Sequence, residues 1–390
     1  MNLLRRHPIA IGLLALLLVT AIHPLPPLVD AVTESPPGDV ELALPTAYVV
    51  LAPLSDTLDA LTFLSMGRAY WVLVVWAVAL AAWGATRSGS VLRRIGLALA
   101  GPIGIVLLCG AAVLLPRPVP HLVAADSVST IIDYHAHSEA SHDGRRGWTF
   151  ARLAAWHARQ GFQASYVTDH NVIFNLSITD PIRLLPGVEW SVYRQHVVAL
   201  GPVQPIVRDS FGSSTPRMLR LFGELKRQGA LGIASIPEYW RNHADDLDDF
   251  VAAGVDGFEI VNCAPKALGF PAPLRRQVLA LAQHHDLLVV GASDNHGWGQ
   301  VTCVWNLTRP GARAYRANRV IARPLALLQG EWRPWTAPVT QPWFMFRSLS
   351  WGERMSWLTW VLVILLYRAM PRRRGQTAGL GILARSLGEP

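Results

Sequence analysis

The sequence predicts an α/β protein, a TIM-like barrel of about seven strands carried on about four transmembrane α-helices. Three observations lead there. Residues 119–335 alternate short β-rich runs with amphipathic helices, the pattern of a parallel sheet. Four long apolar runs lie outside that region. Of the 390 residues, 51% are apolar and only 16% charged, against roughly 25% charged in an ordinary soluble domain.

The apolar runs come first along the chain. A spanning helix needs about 17–25 apolar residues. Ala69–Ala85 and Ile95–Leu115 meet that length. Pro8–Ile22 is shorter and follows Arg5 and Arg6. No small-x-small cleavage site comes after it, so it reads as a retained helix, not a removed signal peptide. Met355–Tyr367 is also short, but Trp351, Trp357 and Trp360 precede or open it and Arg368 and Arg372–Arg374 close it, as interface anchors do. The expected layout is therefore transmembrane helices at 1–22, 69–85, 95–115 and 355–370. Residues 23–68 form an extracytoplasmic loop, with an interfacial helix inside 45–65, and 371–390 form a basic cytoplasmic tail.

Charge sets the orientation. Positive residues collect on the cytoplasmic side of a membrane. Under this layout the cytoplasmic segments hold ten arginines and one acid, and the loop 23–68 holds six acids and one base. Only +4 of the total net charge of +8 then falls on residues 116–354. The basicity is mostly an orientation signal. With only two lysines and no Lys/Arg block interleaved with aromatics, nucleic acid is not expected as a partner. The expected location is the plasma (inner) membrane as a multi-pass protein, with 116–354 outside the cytoplasm and the lipid bilayer as partner.

Within the barrel region the strand candidates are Ser129–Tyr134, Ala164–Thr168, Arg183–Gly187, Val197–Leu200, Leu231–Ser235, Gly257–Val261 and Leu287–Gly291. The helix candidates are Phe150–Gln160, Pro216–Gln228, Asp245–Ala253 and Pro273–His285. Thr149 and Gly161 bracket the first helix, and Thr215 and Gly229 the second, as caps.

Active sites of such barrels lie at the C-terminal ends of the strands, and those ends are where the imidazoles and carboxylates fall. Asp133, His135 and His137 follow the first run, with His142 and Asp143 close behind; Asp169 and His170 follow the second; Glu189 follows the third; His196 opens the fourth; Asn262 follows the sixth; Asp294 and His296 follow the last. In an extended strand residues i and i+2 face the same way, so His135 with His137, and Asp294 with His296, can point into one site. Imidazole and carboxylate suit Zn, Mn or Fe. The number of donors calls for two or three divalent ions, with Glu189 able to bridge a pair. Paired ions activate water and stabilise charge on a phosphoryl oxygen. His157 reads as a packed helix residue, His284 and His285 as a helix C-terminus, and His121, His243, His7 and His23 as unpaired. Asp245–Asp249 reads as a solvated helix start. No Gly-x-Ser-x-Gly elbow, phosphate loop, dinucleotide fingerprint or His-Glu-x-x-His motif occurs.

The segments DYHAHSEASHDG, YVTDHN, LPGVEW, QHVVALG, GFEIVN and GASDNH resemble, in order and spacing, the motifs of the PHP (polymerase and histidinol phosphatase) superfamily of metal-dependent phosphoesterases, over about residues 128–300. The resemblance implies a distorted seven-stranded barrel with a trinuclear site. It implies that His135, His137, Glu189 and Asp294 hold one metal and act in catalysis. Asp143 (alternatively His142), His170 and His296 would hold another, and Glu189 and His196 the third. One position departs: where the family has Ala-His-Pro at the fifth strand end, this chain has Ile236 before Pro237. Glu238 is the substitute to examine.

The function expected is a membrane-anchored phosphoesterase acting on a small phosphorylated substrate. The alternative is a catalytically degenerate, membrane-tethered metal-binding or sensor module, motivated by Ile236. Hydrolysis of a non-phosphate bond is a third reading. Arg145, Arg146, Arg194 and Arg241 are candidates to bind phosphate. Cys263 and Cys303 form either a disulfide or two buried thiols.

Overall fold

The computed structural model describes residues 7–369 apart from 88, 126–128, 177, 193, 208–210, 212, 213 and 310–312. The tail at 371–390 and the Arg5–Arg6 pair lie outside the described residues.

Among the described residues the strands are β1 (Val29–Asp30), β2 (Val40–Ala43), β3 (His121–Ala124), β4 (Thr130–Asp133), β5 (Ala164–Val167), β6 (Arg183–Val192), β7 (Gln195–Leu200), β8 (Leu231–Ala234), β9 (Gly257–Asn262), β10 (Leu288–Ala292), β11 (Val304–Thr308) and β12 (Asn318–Ala322). Ten of them form one curled sheet in the order β1-β12-β11-β4-β5-β6-β7-β8-β9-β10, and β2 pairs with β3 apart from it.

All seven expected strands are present, but in place of a closed barrel they belong to a curled half-barrel sheet of ten strands, mixed and not parallel throughout. β4–β5–β6 and β8–β9–β10 are parallel. β7 is antiparallel to both its neighbours, and β11, β12 and β1 add antiparallel pairs. The reason is local. β6 continues past Gly187 to Val192, and β7 starts three residues later. So short a connection leaves no room for a crossover helix and joins only antiparallel strands. β11 and β12 escape sequence reading because each is five residues long and carries Asn or Arg within its apolar pattern.

The four expected helices form at Phe150–Arg159, Thr215–Arg227, Leu247–Ala252 and Ala272–His284. Gly161 stops the first with a φ of +89°, and a Cβ there would lie 2.4 Å from the Leu122 carbonyl oxygen; glycine is what that left-handed close approach requires. The core packs Phe222, Phe250, Phe258, Leu225 and Val278 on the outer face of the sheet, and Ile132, Val198, Ile233 and Val290 in a separate small cluster.

The curl is held by side-chain amides. Asn306 on β11 is fully buried. Its Nδ2 donates to the carbonyls of Gly291 (2.7 Å) on β10 and Ile132 (3.1 Å) on β4, and its Oδ1 accepts from Gly291 N (2.8 Å). Asn318 Nδ2 on β12 donates to Val289 O (2.7 Å). These bonds satisfy backbone groups of β10, the last strand of the sheet, which would otherwise be buried unpaired.

Among the described residues two helices are long and apolar enough to cross a membrane, Met66–Ala85 and Val91–Leu114, and the rest of the chain leaves most of their length uncovered. The expectation of four is corrected. Pro8–Ile22 has only 15 residues. The last helix, Trp351–Ala369, carries Glu353, Arg354 and Arg368 in its 19 residues; Arg354 donates to the Leu17, Thr20 and Phe346 carbonyls. The expected interfacial stretch forms Thr46–Val50 and Ala52–Thr62, but its two aspartates face inward. Asp59 pairs with Arg117 (2.9 Å) and accepts from Tyr48 (2.8 Å), and Asp56 accepts from Trp357 Nε1 (2.8 Å).

Asn306→Leu deprives three buried backbone groups of partners at about 1–3 kcal/mol each. It is expected to cost at least about 3 kcal/mol in total, read as a lower midpoint for urea unfolding of the purified chain. An unchanged midpoint would mean that the sheet holds its curl without the amide.

Candidate metal centre

The Ala136–Asn295 bridge carries the extended backbone of β4 beyond Asp133, so His135 and His137 both turn inward. A second bridge, His170–Glu189, brings the end of β5 beside β6. The β6–β7 register, Glu189 opposite Val198 and Ser191 opposite His196, sets His196 one step along the same face. Asp294 arrives after β10 with a φ of +47°, a left-handed conformation that Asp tolerates better than most residues.

These side chains meet. Glu189 Oε2 lies 3.2 Å from the Nε2 of both His135 and His137 and 3.0 Å from His170 Nδ1, while its Oε1 lies 2.6 Å from His196 Nδ1. Asp294 Oδ1 lies 3.2 Å from His137 Nε2, 3.6 Å from His135 Nε2 and 3.5 Å from His296 Nδ1. Asp143 Oδ1 faces His296 Nε2 (3.2 Å) and His170 Nε2 (3.6 Å).

The outer nitrogens assign the ring protons. His135 Nδ1 lies 2.6 Å from Glu259 Oε1, a carboxylate that only accepts. His137 Nδ1 lies 2.9 Å from Ser141 Oγ, whose own proton goes to Asp169 (3.0 Å). Burial opposes the charged form of His135, but Glu189, Asp294 and Glu259 outweigh it and raise that imidazole well above its usual range. With Nδ1 of each ring already bonded outward, a proton or a metal ion stands between the two Nε2 atoms, 2.9 Å apart. In addition, both Glu189 oxygens, His196 Nδ1, Glu238 Oε2, Asp294 Oδ1 and His296 Nε2 are buried without a hydrogen-bond partner. Buried charges in proteins are paired or coordinate metals. Four groups of three donors are compact enough for an ion: His135–His137–Asp294, His137–His170–His296, His142–Asp143–His170 and His170–Glu189–His196. This donor set fits divalent metal ions.

Mutual charge dominates the protonation of the cluster. Burial opposes ionisation of Glu189 and Asp294, yet the imidazoles around them hold both carboxylates well below their usual range. Burial also opposes the charged form of His170, but Asp143 and Glu189 outweigh it and raise that imidazole to about 9. His137 goes the other way: burial and the neighbouring His296 lower it.

The structure thus brings together His135, His137, Asp143, His170, Glu189, His196, Asp294 and His296. His142 stays at the edge, its side chain 76% exposed and Nδ1 3.9 Å from Asp143. Ile236 is fully buried among apolar side chains. Two residues on, Glu238 Oε2 stands 2.6 Å from His196 Nδ1, so a carboxylate occupies the neighbourhood where the expected histidine is missing. The helix Ile236–His243 that presents it was not foreseen. His157 is packed as expected and bonds Asp133 Oδ2 (2.9 Å), whose other oxygen accepts from the backbone of His135 and Ser293. His243 is not unpaired: Asp246 (2.8 Å) and the Arg194 carbonyl (3.0 Å) take its two nitrogens.

Sequence reading missed Glu259, Lys266 and Tyr239. Glu259 left a signal, an acid inside the otherwise uncharged, wholly buried strand GFEIVN. Its other oxygen accepts from Ser235 and from Asn262, which also donates to Asp294 Oδ2 (3.1 Å). Lys266 pairs with Glu238, and Tyr239 Oη lies 3.2 Å from His196 Nε2; both depend on how a loop and a short helix fold over the rim. Cys263 and Cys303, beside the site, form a disulfide.

No protein-family model and no curated protein matches the chain. Among solved structures it is similar to PsfC from Pseudomonas syringae (18% identity, 52% of this chain and 96% of that one, TM-score 0.36). It is also similar to an amidohydrolase from Chromobacterium violaceum (19%, 42% and 87%, TM-score 0.32). A third is the lesion-specific endonuclease PfuEndoQ from Pyrococcus furiosus (13%, 48% and 54%, TM-score 0.36).

Glu259→Gln is expected to weaken divalent-metal affinity by about 10- to 100-fold with an unchanged far-UV circular dichroism spectrum. Equal affinity in a competition titration against a fluorescent chelator would mean that Glu259 does not orient His135.

Proposed function

We propose that this chain is a membrane-anchored, metal-dependent phosphoesterase whose barrel lies outside the cytoplasm. The observation that carries the reading is the convergence of buried imidazole and carboxylate atoms, without hydrogen-bond partners, at the C-terminal rim of the strands. His135, His137, Glu189 and Asp294 would hold one ion and form the catalytic centre. Asp143, His170 and His296 would hold a second, with His142 alongside, and Glu189, His196 and Glu238 a third. When bound, the ions supply Lewis acidity to a phosphoryl group and lower the pKa of a water nucleophile.

The residues around them have their own tasks. Glu259 and Ser141 orient His135 and His137 through Nδ1. Asn262 steadies both Glu259 and Asp294. Lys266, half-exposed on the rim beside Glu238, and Arg145, near Trp298, offer positive charge to phosphate oxygens.

Outward placement is supported by the disulfide, since such bonds persist in oxidising compartments. Two uncovered apolar helices support the membrane anchor. Arg87, Arg93 and Arg94, between the two helices or in the first turn of the second, support the orientation. A tethered metal-binding module without turnover is the second reading; the observation favouring it is Ile236 in place of a histidine ligand.

Two experiments test this. The purified chain is expected to retain Zn or Mn through dialysis and to cleave phosphomonoesters or diesters. Glu189→Ala should abolish cleavage, and Glu238→Ala should lower it about 100-fold, with Glu238→His recovering most of the loss. Metal retained with no ester cleaved would favour the binding module. For topology, a phosphatase reporter inserted after Arg87, between the two apolar helices, is expected to be silent, as in the cytoplasm; an active reporter there contradicts the orientation.

A further inference from the structure

The mouth of the barrel and the outer ends of the apolar helices lie on the same side of the molecule. Met66, the first residue of one apolar helix, donates its N–H to the carbonyl of Pro265 (2.8 Å), three residues beyond Asn262 at the end of β9. Gln300, four residues beyond His296, donates through Nε2 to the carbonyl of Val113 (3.0 Å) in the last turn of the other. The loops that carry metal-site residues are thus hydrogen-bonded directly to the ends of the two candidate spans.

The cleft at that junction has a volume of about 510 Å³. Asp143, Asp294, His296 and Lys266 line it together with the apolar Phe63 and Met66. Met66 is 65% exposed, so apolar surface runs from the cleft onto its helix. A second cleft beside the end of Val91–Leu114 gathers Arg117, Arg145, Arg152 and Arg159. Trp332 and Trp335 are exposed close to the start of Met66–Ala85: Arg68 reaches the Trp332 carbonyl and Pro334 lies against Gly67. Exposed tryptophans at helix ends mark the headgroup level of a bilayer, and the arginines of the second cleft can pair with phosphate oxygens.

Resting on the phosphoesterase reading above, we propose that the substrate is a lipid held in the bilayer, with its phosphate-bearing headgroup in the cleft beside Asp294 and His296. Its hydrocarbon chain would leave past Phe63 and Met66 along the apolar helix. The reaction is hydrolysis: the oxygen of water joins phosphorus, one P–O bond breaks, and the departing alcohol takes a proton from the water, with no oxidant or reductant needed. Membrane burial keeps the chain of the product in place while the smaller group leaves by the aqueous side.

The test uses the full-length protein, loaded with Mn or Zn, in phosphatidylcholine vesicles. Dioleoyl phosphatidate is compared with 4-nitrophenyl phosphate as the monoester pair, and phosphatidylglycerol with bis(4-nitrophenyl) phosphate as the diester pair. The expected result is a kcat/KM at least about ten-fold higher for the lipid of one pair, and a fall of about ten-fold in that lipid-to-soluble ratio for Met66→Asp, which sets a charge on the apolar path. Cleavage of soluble esters with no preference for lipid, or a ratio unmoved in Met66→Asp, overturns the lipid assignment and leaves the phosphoesterase standing. Cleavage of neither class by the metal-loaded chain overturns the phosphoesterase itself. The substrate comparison on the unmodified chain decides the matter even if the variant does not fold.

Discussion

Glu189 is buried with four imidazoles around its two oxygens, at 2.6–3.2 Å. A carboxylate taken out of water costs several kcal/mol unless charge or hydrogen bonds compensate it, and this one has no hydrogen-bond donor of adequate geometry. The rim of the curled sheet is organised around that requirement. β6 runs on to Val192, with β7 folded back on it, which places Glu189 among imidazoles from β4, β5 and β7. Asp294 and Asp143 bring further negative charge to His137, His170 and His296. The carboxylates and imidazoles of the cluster thus converge on one small volume, where positive charge from an ion would offset the desolvation of the carboxylates.

Around this cluster a layer of hydrogen bonds fixes each donor. Glu259, Ser141, Asp169, Asn262 and Asp133 contribute no atom to the convergent set, but they hold the rings and carboxylates that do. That layer is assembled from β4, β5, β9 and their following loops, so it depends on the sheet being curled. The curl in turn depends on Asn306 and Asn318 reaching from β11 and β12 to the backbone of β10. The candidate metal site at the rim of the curled sheet and the pair of buried amides within it are therefore parts of one arrangement.

Much of this was legible in the chain. Strand–helix alternation gave the α/β class, and the seven core strands and four helices recur within a few residues of their expected bounds. The ligand candidates were legible because period-two geometry is local: His135 with His137 and Asp294 with His296 need only an extended backbone to share a face. Antiparallel β7 was not legible, because strand direction follows from the length of the connection after Val192, and the third strand was expected to end at Gly187. Glu238 was visible only as a residue near Ile236; the short helix over the rim is what turns it toward His196.

By itself, the sequence determined the chemical inventory and its placement at strand ends, together with the apolar runs. These follow from local periodicity and composition, which a chain carries before it folds. The tertiary structure alone decided the rest. It chose the disulfide over two buried thiols, and turned Asp56 and Asp59 inward instead of toward headgroups. It gave His243 its partners, and joined the loops after Asn262 and His296 to the ends of the apolar helices. Each of these is a pairing between residues distant in the chain or turned by a fold over the rim. Such pairings are fixed by desolvation and packing in three dimensions, where no local pattern reports them.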